Sequence, residues 1–186
     1  MNTTVDWKRA IFMYGRVGVD EDDSTTPHVS AKEVTEQLAG FASGSDDVTL
    51  MLHSLGGTYD DVMEILGFEH LVPFKTNVFS FGCCLGEAAL LLFASTGNRI
   101  VSSGTRITTT DVFEDVGFVN ASKIQGYARM FEQRRESLLH FLEQRSGTPR
   151  EVLREKILNG NNRPILPSEA LQLHLVDEVF DVLQHN

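Results

Sequence analysis

Two glycine turns hold the residues of this chain that could do chemistry. His53-Ser54-Leu55-Gly56-Gly57 closes one apolar stretch, and Gly82-Cys83-Cys84-Leu85-Gly86-Glu87 closes another. A glycine turn leading from a strand into a helix bares backbone N–H groups at the helix N-terminus, where an oxyanion or a nucleophile is commonly held. Two such turns in tandem describe a two-part active site. Cys84 and Ser54 could serve as nucleophiles, and His53 is the one histidine beside the motifs; His28, His70, His140, His174 and His185 fall in predicted loops or on helix faces. A thiolate at a helix N-terminus would gain from the helix dipole. The same residues also have a purely structural reading: Gly-Gly after a strand is a turn, an Ala/Leu-rich run is core, and a buried cysteine packs as a small hydrophobe.

The elements that must position these turns follow from periodicity. Val48, Leu50 and Leu52 alternate as a strand that stops at Ser54, and Val62, Ile65 and Leu66 mark the helix after it. The second unit runs from Val78 through Phe79 and Phe81 to Gly82, then into a helix over 88–94. Elsewhere the pattern predicts a helix over 31–42 with Val34, Leu38 and Phe41 on one face, one or two strands over 99–110, and an acidic, turn-rich stretch over 111–119. The longest helix spans 121–145, with apolar marks at Ile124, Tyr127, Phe131, Leu138, Phe141 and Leu142, and stops at Ser146-Gly147. Thr148 and Pro149 read as the cap and first residue of a helix over 151–158. Ser168 reads as the cap of another helix over 168–173, and Val176, Val179, Phe180 and Val182 as a last strand. Strands alternating with helices predict an α/β fold with parallel crossovers. DEDDSTTP at 20–27 reads as an acidic loop and is the longest candidate for an exposed excursion.

Taken in order, these stretches resemble the Clp protease proteolytic-subunit family, within the wider Clp/crotonase superfamily. Its members typically carry a strand ending in N-S-P-G-G and then G-x-A-x-S-x-G-x-x-L-x-x-A-G, whose serine is the nucleophile. His53-Ser54-Leu55-Gly56-Gly57 stands in the first place, and Gly82-x-Cys84-x-Gly86-x-Ala88-x-x-Leu91-x-x-Ala94-Ser95 in the second. Upstream, Ile11-Phe12-Met13-Tyr14-Gly15 looks like the opening strand and Val29-Ser30-Ala31-Lys32-Glu33 like the first helix start, in a manner similar to phage head-maturation members. Downstream, Pro167-Ser168-Glu169-Ala170-Leu171 and Leu175-Val176-Asp177 match the closing P-x-E-A…G-L-V-D region. The resemblance covers 9–181 of a single domain spanning 1–186. It implies a spiral of strand-strand-helix units with a projecting handle helix. It also implies assembly into six- or seven-membered rings, with an active subunit of the same kind or an AAA+ unfoldase as further partners. An extended peptide is the implied ligand; no cofactor and no metal is implied.

The departures bear directly on activity. The resemblance puts the nucleophile at Gly86, which has no side chain. It puts the histidine, four residues after Arg106, at Thr110, and the aspartate, just before Arg163, at Asn162. The oxyanion-hole donors fall on the N–H groups of Gly56 and Glu87, and a carboxylate facing that pocket would oppose an oxyanion. All three triad positions are thus changed. Threonine is no base near neutral pH, and asparagine orients an imidazole without stabilising an imidazolium. Cys84 with His53 and Asn162 is the alternative constellation.

Composition narrows the rest. The chain has 186 residues, 41% of them hydrophobic, enough for one sizeable core. The net charge of −10 argues against a nucleic-acid surface, and the basic residues of 129–154 alternate with glutamates as on a solvated helix face. Neither a membrane span nor a secretory signal is read, and two adjacent cysteines fit a reducing, cytoplasmic setting. Three functions are therefore expected to compete: an inactive subunit that works by assembly or peptide binding, a peptidase using Cys84 or a serine, and a crotonase-like acyl-CoA binder. No adenine-binding signature supports the last.

Overall fold

A computed structural model describes residues 5–18, 26–109, 117–158 and 163–181. Parallel strands with helical crossovers dominate it, because the longer strand segments carry apolar residues on alternate positions and the two longest lead through glycine turns into helices. After a single 3-10 turn at Trp7–Arg9, the chain forms β1 (Ala10–Tyr14), β2 (Arg16–Val17), β3 (His28–Val29) and α1 (Ala31–Phe41). It continues through β4 (Val48–Ser54), α2 (Tyr59–Glu69), β5 (Thr76–Cys84), α3 (Ala88–Ala94), β6 (Arg99–Ser102) and β7 (Arg106–Thr108). The last elements are α4 (Ala121–Ser146), α5 (Arg150–Lys156), β8 (Pro164–Ile165), α6 (Pro167–Gln172) and β9 (Glu178–Phe180).

The main sheet has the order β1-β4-β5-β6-β9, all parallel, with β7 alongside the end of β5 and β8 antiparallel to β7. One sheet face sends Ile11, Met13, Leu50, Leu52, Val78 and Val101 into a core closed by Val34 and Leu38 of α1, Val62, Ile65 and Leu66 of α2, and all of α3. The other face carries a run of rings. Trp7, Phe12, Tyr14, Phe81, Phe79 and Phe180 follow one another at centroid distances of 5.7–6.4 Å.

Local chemistry sets the element ends. Ser30 and Glu33 form a reciprocal capping box on α1, and Thr58 caps α2 by accepting from Asp61 N–H. Gly147, at φ 70°, ends α4 in the left-handed conformation. Two expected caps fall elsewhere. Thr148 does not cap α5; its hydroxyl donates to Leu173 O at 2.6 Å, and Pro149 is the N-cap without a side-chain bond. Ser168 does not cap α6, because Pro167 is already helical and Leu166 is the N-cap. Most of the predicted loop at 20–27 and most of the turn-rich 111–119 stretch lie outside the described residues.

The buried residues of α4 lie in its C-terminal third, and further out Arg134 still reaches Asp60 and the Tyr59 ring of α2. Leu138, Leu139 and Leu142 are its buried residues, whereas Ile124 and the residues around it are exposed. The helix therefore extends well beyond what the domain covers, as a projecting element should.

Candidate functional site

The two glycine turns meet. Ser54 at the end of β4 pairs with Cys84 at the end of β5, and Leu85 N–H donates to Ser54 O at 3.1 Å. A Cβ on Gly56 would stand 3.7 Å from Leu85 O. The same row continues sideways: Cys84 pairs with Ile107 of β7, and Ile107 with Ile165 of β8. One line across β4, β5, β7 and β8 thus joins the first glycine motif, the second, the strand that leads to Thr110 and the strand that follows Asn162. Segments spread over more than half of the chain converge on one corner of the sheet. Thr110 and Asn162 themselves lie outside the described residues. Beside them, Thr109 is buried with its hydroxyl on Ile157 O, and Arg163 pairs with Glu169 at 2.6 Å.

At Gly86, the position expected to match the family nucleophile, the backbone turns and there is no side chain. Gly86 stands at φ 58°, and α3 starts after Glu87, whose side chain makes no capping bond. The first turn is self-satisfied. Gly56 N–H donates to Ser54 Oγ at 3.2 Å, Ser54 Oγ donates to Gly56 O at 2.9 Å, and Gly56 O also accepts from Val17 N–H at 2.9 Å. The N–H expected to receive an oxyanion is therefore already engaged, and Ser54 is fully buried in doing so. Gly57 is needed for this closure, since a Cβ there would meet Val17 O at 2.4 Å.

The two cysteines part company at a bulge. Leu52 pairs with Ser80 and Ser54 with Cys84, so two steps along β4 face four along β5, and Gly82 absorbs the excess at φ 72°. Cys84 turns inward. Its Sγ lies 3.6 Å from Ala88 O at 0% exposure, and burial pushes its thiol up to about 12, the opposite of what a nucleophile needs. Cys83 turns to the aromatic face. Its Sγ lies 3.6 Å from His53 Nε2 and 3.8 Å from Nδ1, while Nδ1 is 3.1 Å from Phe81 O. The structure thus brings His53 to Cys83 and not to Cys84. Burial raises the Cys83 thiol, and Arg106 opposes this only in part. Strand alternation alone could not reveal this partnership, because the bulge decides which cysteine faces which side. Among the described residues no group of three or more His, Cys, Asp or Glu side chains could hold a metal.

The convergence of the motifs on one corner of a parallel sheet finds its counterpart in known proteins. A family model described as "Clp protease" matches residues 7–182. The chain belongs to the Clp protease family. Relatives include the ATP-dependent Clp protease proteolytic subunit 1 of Corynebacterium glutamicum, 27% identical over 178 residues that cover 94% of this chain and 80% of that protein. The protein of the same name from Bifidobacterium longum is 27% identical over 176 residues, 93% of this chain and 71% of its own length. The α/β architecture, with helices on a mostly parallel sheet and a projecting long helix, is that of a Clp-family subunit. No helix among the described residues is long and apolar enough to cross a membrane.

Proposed function

We propose that this chain is a Clp-family subunit without serine-peptidase activity, one domain over 1–186 that works by assembly. The observation that carries the reading is Gly86: the position matching the nucleophile has no side chain. The Thr110 and Asn162 identities support it, as does the engagement of Gly56 N–H by Ser54 Oγ. A triad enzyme that loses its nucleophile or base typically loses about 10⁴ to 10⁶-fold in rate. The projecting half of α4 supports oligomer formation, with a six- or seven-membered ring as the expected form. Its partners would be other copies, an active subunit of the family or an AAA+ unfoldase, in the cytoplasm. The paired turns at Gly56 and Gly86 would hold an extended peptide once Ser54 releases Gly56 N–H.

Activity-based labelling tests this. The native chain is treated with a fluorophosphonate and, separately, with iodoacetamide, and adducts are mapped by mass spectrometry. The expected result is no fluorophosphonate adduct and no fast alkylation at either cysteine. A stoichiometric phosphonyl-Ser54, or fast selective alkylation of Cys84 or Cys83, would overturn the reading in favour of a peptidase with a displaced nucleophile.

A further inference from the structure

Val62, Ile65 and Leu66 form the buried stripe of α2, and the next position on that stripe is an acid. Glu69 is only 2% exposed. Its Oε1 accepts from Ser95 Oγ at 2.9 Å and its Oε2 from Thr96 N–H at 3.0 Å. Arg145, in the last turn of α4, donates Nε to Ser95 O at 2.8 Å and Nη2 to Gly97 O at 2.6 Å. One short turn thus gives its donors to the acid of α2 and its acceptors to the base of α4. The turn is also tied to the sheet: Thr76 N–H donates to Thr96 Oγ1 at 3.0 Å and Gly97 N–H to Thr76 O at 2.8 Å.

A second charge pair lies behind the first. Arg99, also 2% exposed, donates Nε and Nη2 to the two oxygens of Asp177 at 2.9 and 2.7 Å, and Nη1 to Phe93 O at 2.9 Å. Arg145 interacts electrostatically with Arg99, Asp177 and Glu69. The cation facing Glu69 is therefore Arg145 from α4, with Arg99 and Asp177 from the β6 and β9 side one step further. His70 follows Glu69 at the end of α2 and is exposed, its ring edge-on to Phe141 of α4.

We propose that Glu69 is a proton-operated latch at the root of α4: neutral, it holds the 95–97 turn and the last turn of α4 to the body, and ionised, it loosens both. A carboxylate in that position has lost its water, and two hydrogen bonds and one guanidinium across a turn offset the loss only in part. Burial raises the Glu69 carboxyl to about 8 against those opposing contacts. When the proton is on, the Ser95 hydroxyl can rotate and accept from the carboxyl O–H, so the contact survives in the neutral state. The sign follows from proton counting. Above pH 4.5 the unfolded or opened Glu69 has released its proton while the latched one keeps it, so closure is favoured at low pH and is lost as pH rises through about 8. The assembly proposed above runs through α4, so the latch would bias it; the latch itself does not depend on that reading.

Hydrogen exchange of the full chain, followed by mass spectrometry from pH 6 to 9 and corrected for intrinsic rates, tests the latch at residues 95–98 and 140–147. Protection should fall more than about threefold across that range in the wild type, and Glu69→Gln should remove at least half of the fall. Arg145→Gln, which takes away the compensating cation, should move the fall to higher pH. A wild-type fall of threefold or less would overturn the proposal without any variant. So would a Glu69→Gln protein that keeps more than half of the fall, or an unmoved midpoint in Arg145→Gln. A chain that stays monomeric yet shows the fall would reject the assembly and leave the latch standing.

Discussion

Gly82 shows how much a single backbone position decides at this site. At φ 72° it takes up the bulge in β5, and a Cβ there would stand 2.6 Å from His53 Nδ1. Gly82→Ala should therefore cost about 1–3 kcal/mol of stability, from left-handed strain and from the displaced ring. His53→Ala in the same chain should recover the part due to the ring and none of the strain. Chemical denaturation of the two single variants and the double variant measures this; an additive cycle would mean that the ring does not press on Gly82. The same residue explains what sequence reading could and could not see. The glycine spacing located both turns, which the structure brings together at the ends of β4 and β5. The pairing of His53 with Cys83 stayed hidden, because period-two alternation assumes no bulge. Glu69 stayed hidden for a different reason: an acid near a helix end reads as solvated, and only the packing of α2 against the 95–97 turn buries it.

Among the elements, α4 has two halves with different work. Its root buries Leu138, Leu139 and Leu142 against the body and is fixed by Arg145, while Tyr127 and Phe131 stack on each other in the projecting half at 6.2 Å. Leu139→Ala should destabilise the fold by about 2–5 kcal/mol, a transfer loss plus a cavity. Ile124→Ala should change monomer stability by no more than about 0.5 kcal/mol yet weaken self-association. Thermal unfolding paired with sedimentation velocity separates the two. Equal stability losses would mean that the outer half packs on the body, and unchanged association in Ile124→Ala would remove that face from the interface. The boundaries of this helix were readable, since Ser146-Gly147 is a local stop signal. The caps of α5 and α6 were not, because Thr148 is drawn away by a tertiary bond to Leu173 O and Pro167 pre-empts Ser168.

For the whole molecule, the decisive relation is between a family fold that is kept and the reactive constellation that we propose has changed. The row Ser54–Cys84–Ile107–Ile165 still assembles the corner of the sheet on which the family's motifs converge. At that corner Gly86 carries no side chain and the Gly56 N–H is occupied by Ser54 Oγ. Architecture of this kind was legible in the order of the motifs, because each strand-turn-helix unit carries its own periodicity and punctuation. The closed state of the first turn was not, since it depends on where one hydroxyl points. The most direct measurement is steady-state turnover of unfolded protein and short fluorogenic peptides by the purified chain, with Cys83→Ala, Cys84→Ala and Ser54→Ala alongside. Turnover no higher than in a protein-free control, and unchanged by the three variants, is the predicted result. Robust cleavage abolished by any one of them would contradict the account and name the nucleophile.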